Sequence, residues 1–198
     1  DQLGDLPMPQ TWSDLLDPAF EGKIVLPEPA NSSTGYTIIW GVEQLLGTEA
    51  LEQLARNVVI TGTSQGVPRG VAQGEYAVGL TFESSAYPYV DGGQDEIKLV
   101  YPSDGTFITP EYLGLVKGAP GGDAARAAVD LMLSQEAQAA LLEAGFRRPS
   151  RGDVEVSQYV ALPEMSDIAV FEIDETEAAA ARDTFLQRWQ SLGAATDE

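Results

Sequence analysis

Small hydroxyl residues and a glycine crowd one short stretch, Pro29-Ala30-Asn31-Ser32-Ser33-Thr34-Gly35-Tyr36, set just before the apolar run Thr37-Ile38-Ile39-Trp40. Placed after a short strand and before a helix, these residue types describe an anion cradle. The first backbone N–H groups of a helix have no intrahelical partner, and the helix dipole puts partial positive charge there. Ser and Thr add side-chain donors, and a glycine at position 35 lets backbone approach a ligand closely. Taken alone, the commoner reading of such residues is an ordinary N-cap. A second small-polar loop, Thr61-Gly62-Thr63-Ser64-Gln65-Gly66, also precedes a helical pattern. A third begins at Glu83, where an apolar strand pattern ends.

Other chemistries are excluded by what the chain lacks. With no cysteine and no histidine in 198 residues, disulfides, thiolate metal sites, cysteine nucleophiles, His-based zinc sites and Ser-His-Asp catalysis are all out of reach. The net charge of −20, from 31 acidic against 11 basic residues, argues against nucleic acid, because neutralising phosphates needs a basic patch. Acid-rich surfaces with few lysines suit high salt, where screening relieves self-repulsion. A hydrophobic content of 43% fits a globular chain rather than a disordered one. No apolar run approaches the ~20 residues of a membrane-spanning helix.

The elements that must position these loops follow from periodicity and punctuation. A short capped helix is expected at 11–16, stopped by Asp17-Pro18, and a buried strand at 22–27. Helices are expected at 34–46, closed by Gly47, and at 50–56, with a strand at 58–60. A helix at 67–73, a strand at 77–82 and a short helix at 84–90 come next. Further strands are expected at 97–102 and 113–116. A long helix over 123–144, broken near Ser134 and ended by Gly145, precedes a coil, a strand at 168–171 and a closing helix at 175–192. Strands alternating with helices predict an α/β sheet.

Several stretches then carry a resemblance. Trp12-Ser13-Asp14-Leu15-Leu16-Asp17-Pro18, Phe20-Glu21-Gly22-Lys23-Ile24 and the cradle itself are similar to the second lobe of a periplasmic solute-binding protein. The particular likeness is to the ferric-iron, phosphonate and sugar-phosphate branch that serves ABC importers. Gly74-Glu75-Tyr76-Ala77-Val78-Gly79-Leu80, Tyr101-Pro102-Ser103-Asp104-Gly105-Thr106, Ala128-Val129-Asp130-Leu131-Met132-Leu133-Ser134-Gln135-Glu136 and Phe146-Arg147-Arg148-Pro149 continue it in order. The resemblance implies a type 2 periplasmic-binding-protein-like α/β fold comprising the second lobe plus the C-terminal part of the first. Residues 1–105 would be the ligand-gripping lobe, and 106–198 the return segment and C-terminal helices of lobe one. Family members usually begin with more than a hundred further residues, so this chain is expected to be a fragment or a cleaved product.

The same resemblance implies the site. Ser32, Ser33, Thr34 and Gly35 would grip an anionic group, with Thr63 and Ser64 in the corresponding place on the next loop, and the capping reading falls behind. Glu83 would pair with a ligand ammonium, as in an aminophosphonate, or else cap the following helix. Tyr87 and Tyr89 would offer hydroxyls or aromatic walls, unless they pack. Thr106, in a connection between lobes, would reach the ligand as well. Ferric-iron binders place two adjacent tyrosines after the strand that ends here at Thr81-Phe82-Glu83. This chain has Ser84-Ser85-Ala86 there, with Tyr87 and Tyr89 split by Pro88, which ranks a phosphonate or organic phosphate above iron. The function implied is non-enzymatic and periplasmic, with no cofactor. Its partners would be a small anionic solute and the membrane subunits of an ABC transporter. Exposed sheet edges in an incomplete lobe would favour self-association.

Alternatives of other classes are a glycoside hydrolase working through paired carboxylates and a sensory domain built on the binding fold. Asp153, Glu155 and Glu164 lack the spacing of a calcium loop. The acidic run Glu172, Asp174, Glu175 and Glu177 reads as capping electrostatics. Arg147, Arg148 and Arg151 form a basic cluster for which salt bridges to the acidic surface are the simplest role.

Overall fold

The computed structural model describes residues 2–194. They fall into two compact units, 2–108 together with 169–194, and 109–168.

The first unit is built on a parallel sheet in the order β2-β1-β3. β1 (Ile24–Pro27) is buried at every position, the continuous apolar run expected of a strand covered on both faces. β2 (Val58–Thr61) pairs with it in register Ile24↔Val58 to Pro27↔Thr61. β3 (Val78–Gly79) pairs on the other side, Ile24↔Val78 and Val25↔Gly79. Parallel pairing requires crossovers. α1 (Ser33–Leu46) and α2 (Thr48–Asn57) make the first, and α3 (Gly66–Ala72) makes the second. α4 (Glu83–Asp91) follows β3.

Two contacts fix how α1 leaves the sheet. A Cβ on Gly35 would lie 2.3 Å from the Pro27 carbonyl oxygen, so only glycine lets the first turn seat against the end of β1. A Cβ on Gly41 would lie 2.6 Å from the Phe107 ring, which brings in the second sheet, β4 (Thr106–Phe107) parallel to β5 (Val170–Phe171). Phe107 stacks on Trp12 at 4.7 Å between ring centroids, and the Trp12 indole donates to the Gly105 carbonyl at 2.8 Å. The segment before β1 forms a 3₁₀ turn at Ser13–Leu16 rather than an α-helix. Thr11 and Asp14 cap it reciprocally, each side chain accepting from the other's amide. The buried Asn57 amide donates to the Leu15 and Asp17 carbonyls at 2.8 and 2.9 Å, tying that turn to the end of α2.

The C-terminal helix, α7 (Glu175–Ala194), lies on this unit. Its Phe185 meets Tyr36 and Trp40 edge-on at 5.8 and 5.1 Å. Phe185, Leu186 and Trp189 are buried in the same core as Ile24, Leu26, Ile39, Leu51 and Leu54.

The second unit holds α5 (Gly122–Met132) and α6 (Gln135–Gly145). The predicted break falls at Ser134, whose hydroxyl accepts from the Ala137 amide at 3.2 Å. Gly145 does not end α6 as expected. It is the last helical residue, and Phe146 adopts the left-handed conformation, φ 54°, donating its amide to the Leu142 carbonyl at 2.9 Å. Leu142, Val154, Val156 and Leu162 are buried within this unit.

Two predicted strands are absent among the described residues. Residues 97–102 and 113–116 form no strand, and 113–116 is exposed throughout. A strand needs a neighbour to receive its backbone hydrogen bonds, and apolar composition alone does not supply one. β3 is likewise shorter than 77–82, although the Leu80 amide still donates to the Val25 carbonyl at 2.9 Å. No helix among the described residues is long and apolar enough to cross a membrane.

Candidate functional site

Three loops leave the carboxyl edge of the parallel sheet, one after each strand. Because β2 and β3 lie on opposite sides of β1, the chain changes direction about β1, the position where open α/β sheets form a ligand crevice. Ser32 stands in the first loop with extended backbone, as the N-cap of α1. Its Oγ accepts from the Gly35 amide at 3.2 Å and shares a 2.9 Å hydrogen bond with Ser64 Oγ of the second loop. The two hydroxyl loops therefore meet. Ser32 and Thr34 are buried, whereas Asn31 and Ser33 are exposed. The Tyr36 amide donates to the Ser32 carbonyl at 3.0 Å. The Ser33 and Thr34 amides precede the first intrahelical hydrogen bond and point positive partial charge out of the helix end. Thr63 is exposed, and its Oγ1 accepts from the Gly66 amide at 3.2 Å. The Gly35 amide is taken up by Ser32 Oγ, while its missing side chain faces β1.

In the third loop Glu83 opens α4, where the dipole favours a carboxylate. Its Oε2 accepts from the Tyr101 hydroxyl at 2.5 Å. Tyr87 is only 3% exposed, packed inside rather than set along an open wall. Tyr89 is half-buried on the same helix. Thr106 sits on β4, and its hydroxyl oxygen is buried without a hydrogen-bond partner among the described residues. Thr81, which the sequence reading passed over, holds a second such hydroxyl at the end of the β3 segment.

Tyr101 and Arg182 were also missed. Arg182 of α7 donates from Nη2 to the Ala30 carbonyl at 3.0 Å and lies 5.4 Å from the centre of the Tyr36 ring. The Tyr36 hydroxyl donates to the Ala178 carbonyl at 2.5 Å. Burial holds the Tyr36 phenol above the ordinary tyrosine value, and the Arg182 charge opposes that rise.

The remaining charged clusters are occupied structurally. Arg151 forks onto Asp153 at 2.8 and 2.7 Å and donates to the Leu133 carbonyl at 3.0 Å. Arg147 pairs with Glu111 at 2.9 Å, and Arg148 donates to the Pro163 carbonyl at 2.8 Å. The Glu164 carboxylate accepts from the Ser157 amide at 2.8 Å, which lowers its pKa. Among the described residues no group of three or more Asp and Glu side chains is placed to hold a metal ion.

Comparison with known proteins places the chain in a family. An uncharacterised Haemophilus influenzae protein is 27% identical over 195 residues, 95% of this chain and 56% of its own length. A Salmonella typhimurium periplasmic protein, whose name proposes 2-aminoethylphosphonate binding, is 23% identical over 205 residues, 93% of this chain and 58% of its own. The chain thus spans a little over half the length of these relatives. The periplasmic binding protein AfuA of Actinobacillus pleuropneumoniae, solved with fructose-6-phosphate bound, superposes with a TM-score of 0.80 at 26% identity. That match covers 94% of this chain and 60% of AfuA. The α/β fold with parallel sheets is therefore that of type 2 periplasmic binding proteins, over the part of their length this chain spans. The family model of bacterial extracellular solute-binding proteins matches residues 1–176, a span that takes in the parallel sheet, the joined Ser32 and Ser64 loops and the whole second unit, and it is to this family that the chain belongs.

Proposed function

We propose that this chain is the solute-gripping part of a periplasmic receptor for an ABC importer, and that its solute is a phosphonate or organic phosphate. The observation that carries the proposal is the Ser32–Ser64 hydroxyl pair, 2.9 Å apart at the N-terminus of α1. Hydroxyls and helix-end amides hold an oxyanion without a cationic side chain, which suits a chain of net charge −20. In this reading Ser32, Ser33, Thr34, Gly35, Thr63 and Ser64 take the anionic group. Glu83, steadied by Tyr101, takes an ammonium where the solute carries one. Thr106 shapes the far wall, while Tyr87 packs inside the unit. The unit containing β1 is then the gripping lobe, and transporter membrane subunits are the protein partner.

Two relatives lend weight on solute class, one named for an aminophosphonate and one solved with a sugar phosphate. Iron is the weaker reading. Fe³⁺ favours anionic oxygens, and Tyr87 and Tyr89 are separated by Pro88, with Tyr87 buried. Membership of a solute-binding family leaves the glycoside hydrolase alternative without support.

A thermal-shift panel of phosphate, 2-aminoethylphosphonate, a hexose phosphate and ferric citrate tests this. A ligand at ~100 times its Kd adds about 2.7 kcal/mol, which raises Tm visibly. The expected result is a shift with one phosphorus compound and none with ferric citrate. A shift with ferric citrate alone overturns the solute class.

A further inference from the structure

We propose that Arg182 is a positioning residue for the cradle, acting through the backbone on either side of Ser32. It rests on reading residues 30–36 as the solute-binding loop. α7 grips that loop at two points. The Arg182 guanidinium donates to the Ala30 carbonyl at 3.0 Å, two residues before Ser32. The Tyr36 hydroxyl donates to the Ala178 carbonyl at 2.5 Å, four residues after it. The same guanidinium lies over the Tyr36 ring at 5.4 Å, so the two ties form one assembly. Between them lie the Gly35 and Tyr36 amides, both bonded to Ser32.

The logic is that of preorganisation. A loop that presents hydroxyls and amides to an oxyanion binds well only if it is ordered before the ligand arrives. Asn31 and Ser33 are exposed, and the cradle's own bonds are short-range apart from the Ser32–Ser64 contact. Arg182 supplies an anchor from 152 positions away in sequence. A charge-assisted bond to a half-buried carbonyl is among the stronger ties available, and the planar guanidinium alone can both stack on Tyr36 and donate to Ala30. Arg188, six residues further along α7, ties to Glu43 near the other end of α1 and serves as the control. It joins the same two helices without touching the cradle.

Amide hydrogen exchange in the ligand-free chain reads this directly. In Arg182→Ala, exchange at Gly35 and Tyr36 should rise about 10-fold relative to the core amide of Ile39, as expected for local opening after loss of a charge-assisted bond. Arg182→Lys, which keeps a charged donor but not the planar fork, should restore only part of the protection, leaving exchange about threefold above the original. Arg188→Ala should lower Tm yet leave the ratio unchanged. An unchanged ratio in Arg182→Ala, or an equal rise in Arg188→Ala, overturns the proposal. Because the readout needs no solute, a failed ligand panel counts against the solute assignment and leaves this result to stand or fall by itself.

Discussion

Ser32 and Gly35 stand three residues apart and do different work, and two substitutions separate them. A Cβ at position 35 would meet the Pro27 backbone oxygen at 2.3 Å, and backbone in a central strand cannot step aside as a flexible side chain would. Gly35→Ala should therefore cost about 2–3 kcal/mol, the upper range for overpacking, seen as a fall in the urea midpoint. Ser32→Ala removes the acceptor for the Gly35 amide and the partner of Ser64. A lost N-cap costs about 1 kcal/mol, so its midpoint should fall less, while affinity for the phosphorus ligand of the panel should fall with it. Equal midpoint losses would show that Gly35 is not seated against β1. Tyr36, the next residue, carries a pH prediction. Burial raises its pKa, with Arg182 opposing, and the protonated hydroxyl is the form that donates to Ala178. A group whose pKa is raised on folding gives stability that is whole below the unfolded value, about 10 for tyrosine. That stability is lost as pH rises through the folded value. Chemical denaturation across the alkaline range should show this loss, and Tyr36→Phe should flatten it. An identical alkaline profile in both proteins would mean that other groups set it.

At the scale of elements, legibility in the sequence followed locality. β1, α1 and the cap between them were readable because each is written in adjacent residues: an apolar run, then Ser32, then apolar positions at helical spacing. Ser134 was readable as the break between α5 and α6 for the same reason, its hydroxyl accepting from Ala137 only three residues on. The loops carrying Ser32 and Ser64 were legible as two small-polar punctuations ahead of helices. What failed was whatever depended on a distant partner. The apolar stretches at 97–102 and 113–116 have strand composition, but pairing is a property of two segments, and neither forms a strand among the described residues. The end of α6 misled because glycine is the usual left-handed residue there, and the chain uses Phe146 one position later. Tyr101 lies 18 residues from Glu83, and Arg182 lies 152 from Ala30. Neither has a local pattern that announces it. The buried hydroxyl of Thr81, without a hydrogen-bond partner among the described residues, is a fact of packing, invisible in a strand pattern that any β-branched residue would satisfy.

For the whole molecule the controlling quantity is charge. The chain carries 31 acidic and 11 basic residues, so most carboxylates have no cation to pair with, whatever the local geometry. Arg147, Arg151 and Arg188 are already committed to Glu111, Asp153 and Glu43. The surplus repels itself across the folded surface and is diluted when the chain expands, which destabilises the compact state. Screening removes that penalty over distances longer than the Debye length, about 10 Å at 0.1 M salt and about 3 Å at 1 M. Exposed ion pairs lose strength under the same conditions, yet each contributes at most about 1 kcal/mol. The two effects oppose each other, and the excess of acidic over basic residues decides the sign. Tm should therefore rise as KCl is increased from 0.1 to about 1 M, most steeply at the low end, where the Debye length still spans neighbouring carboxylates. Potassium chloride is the appropriate salt, because sulfate would raise Tm by strengthening apolar burial in any protein. Lowering the pH towards the carboxylate range should shrink the KCl effect, since protonation removes the charges that salt would screen. A Tm that stays level or falls with KCl at neutral pH would mean that the exposed pairs outweigh the self-repulsion, and that the acidic composition acts on something other than the stability of the fold.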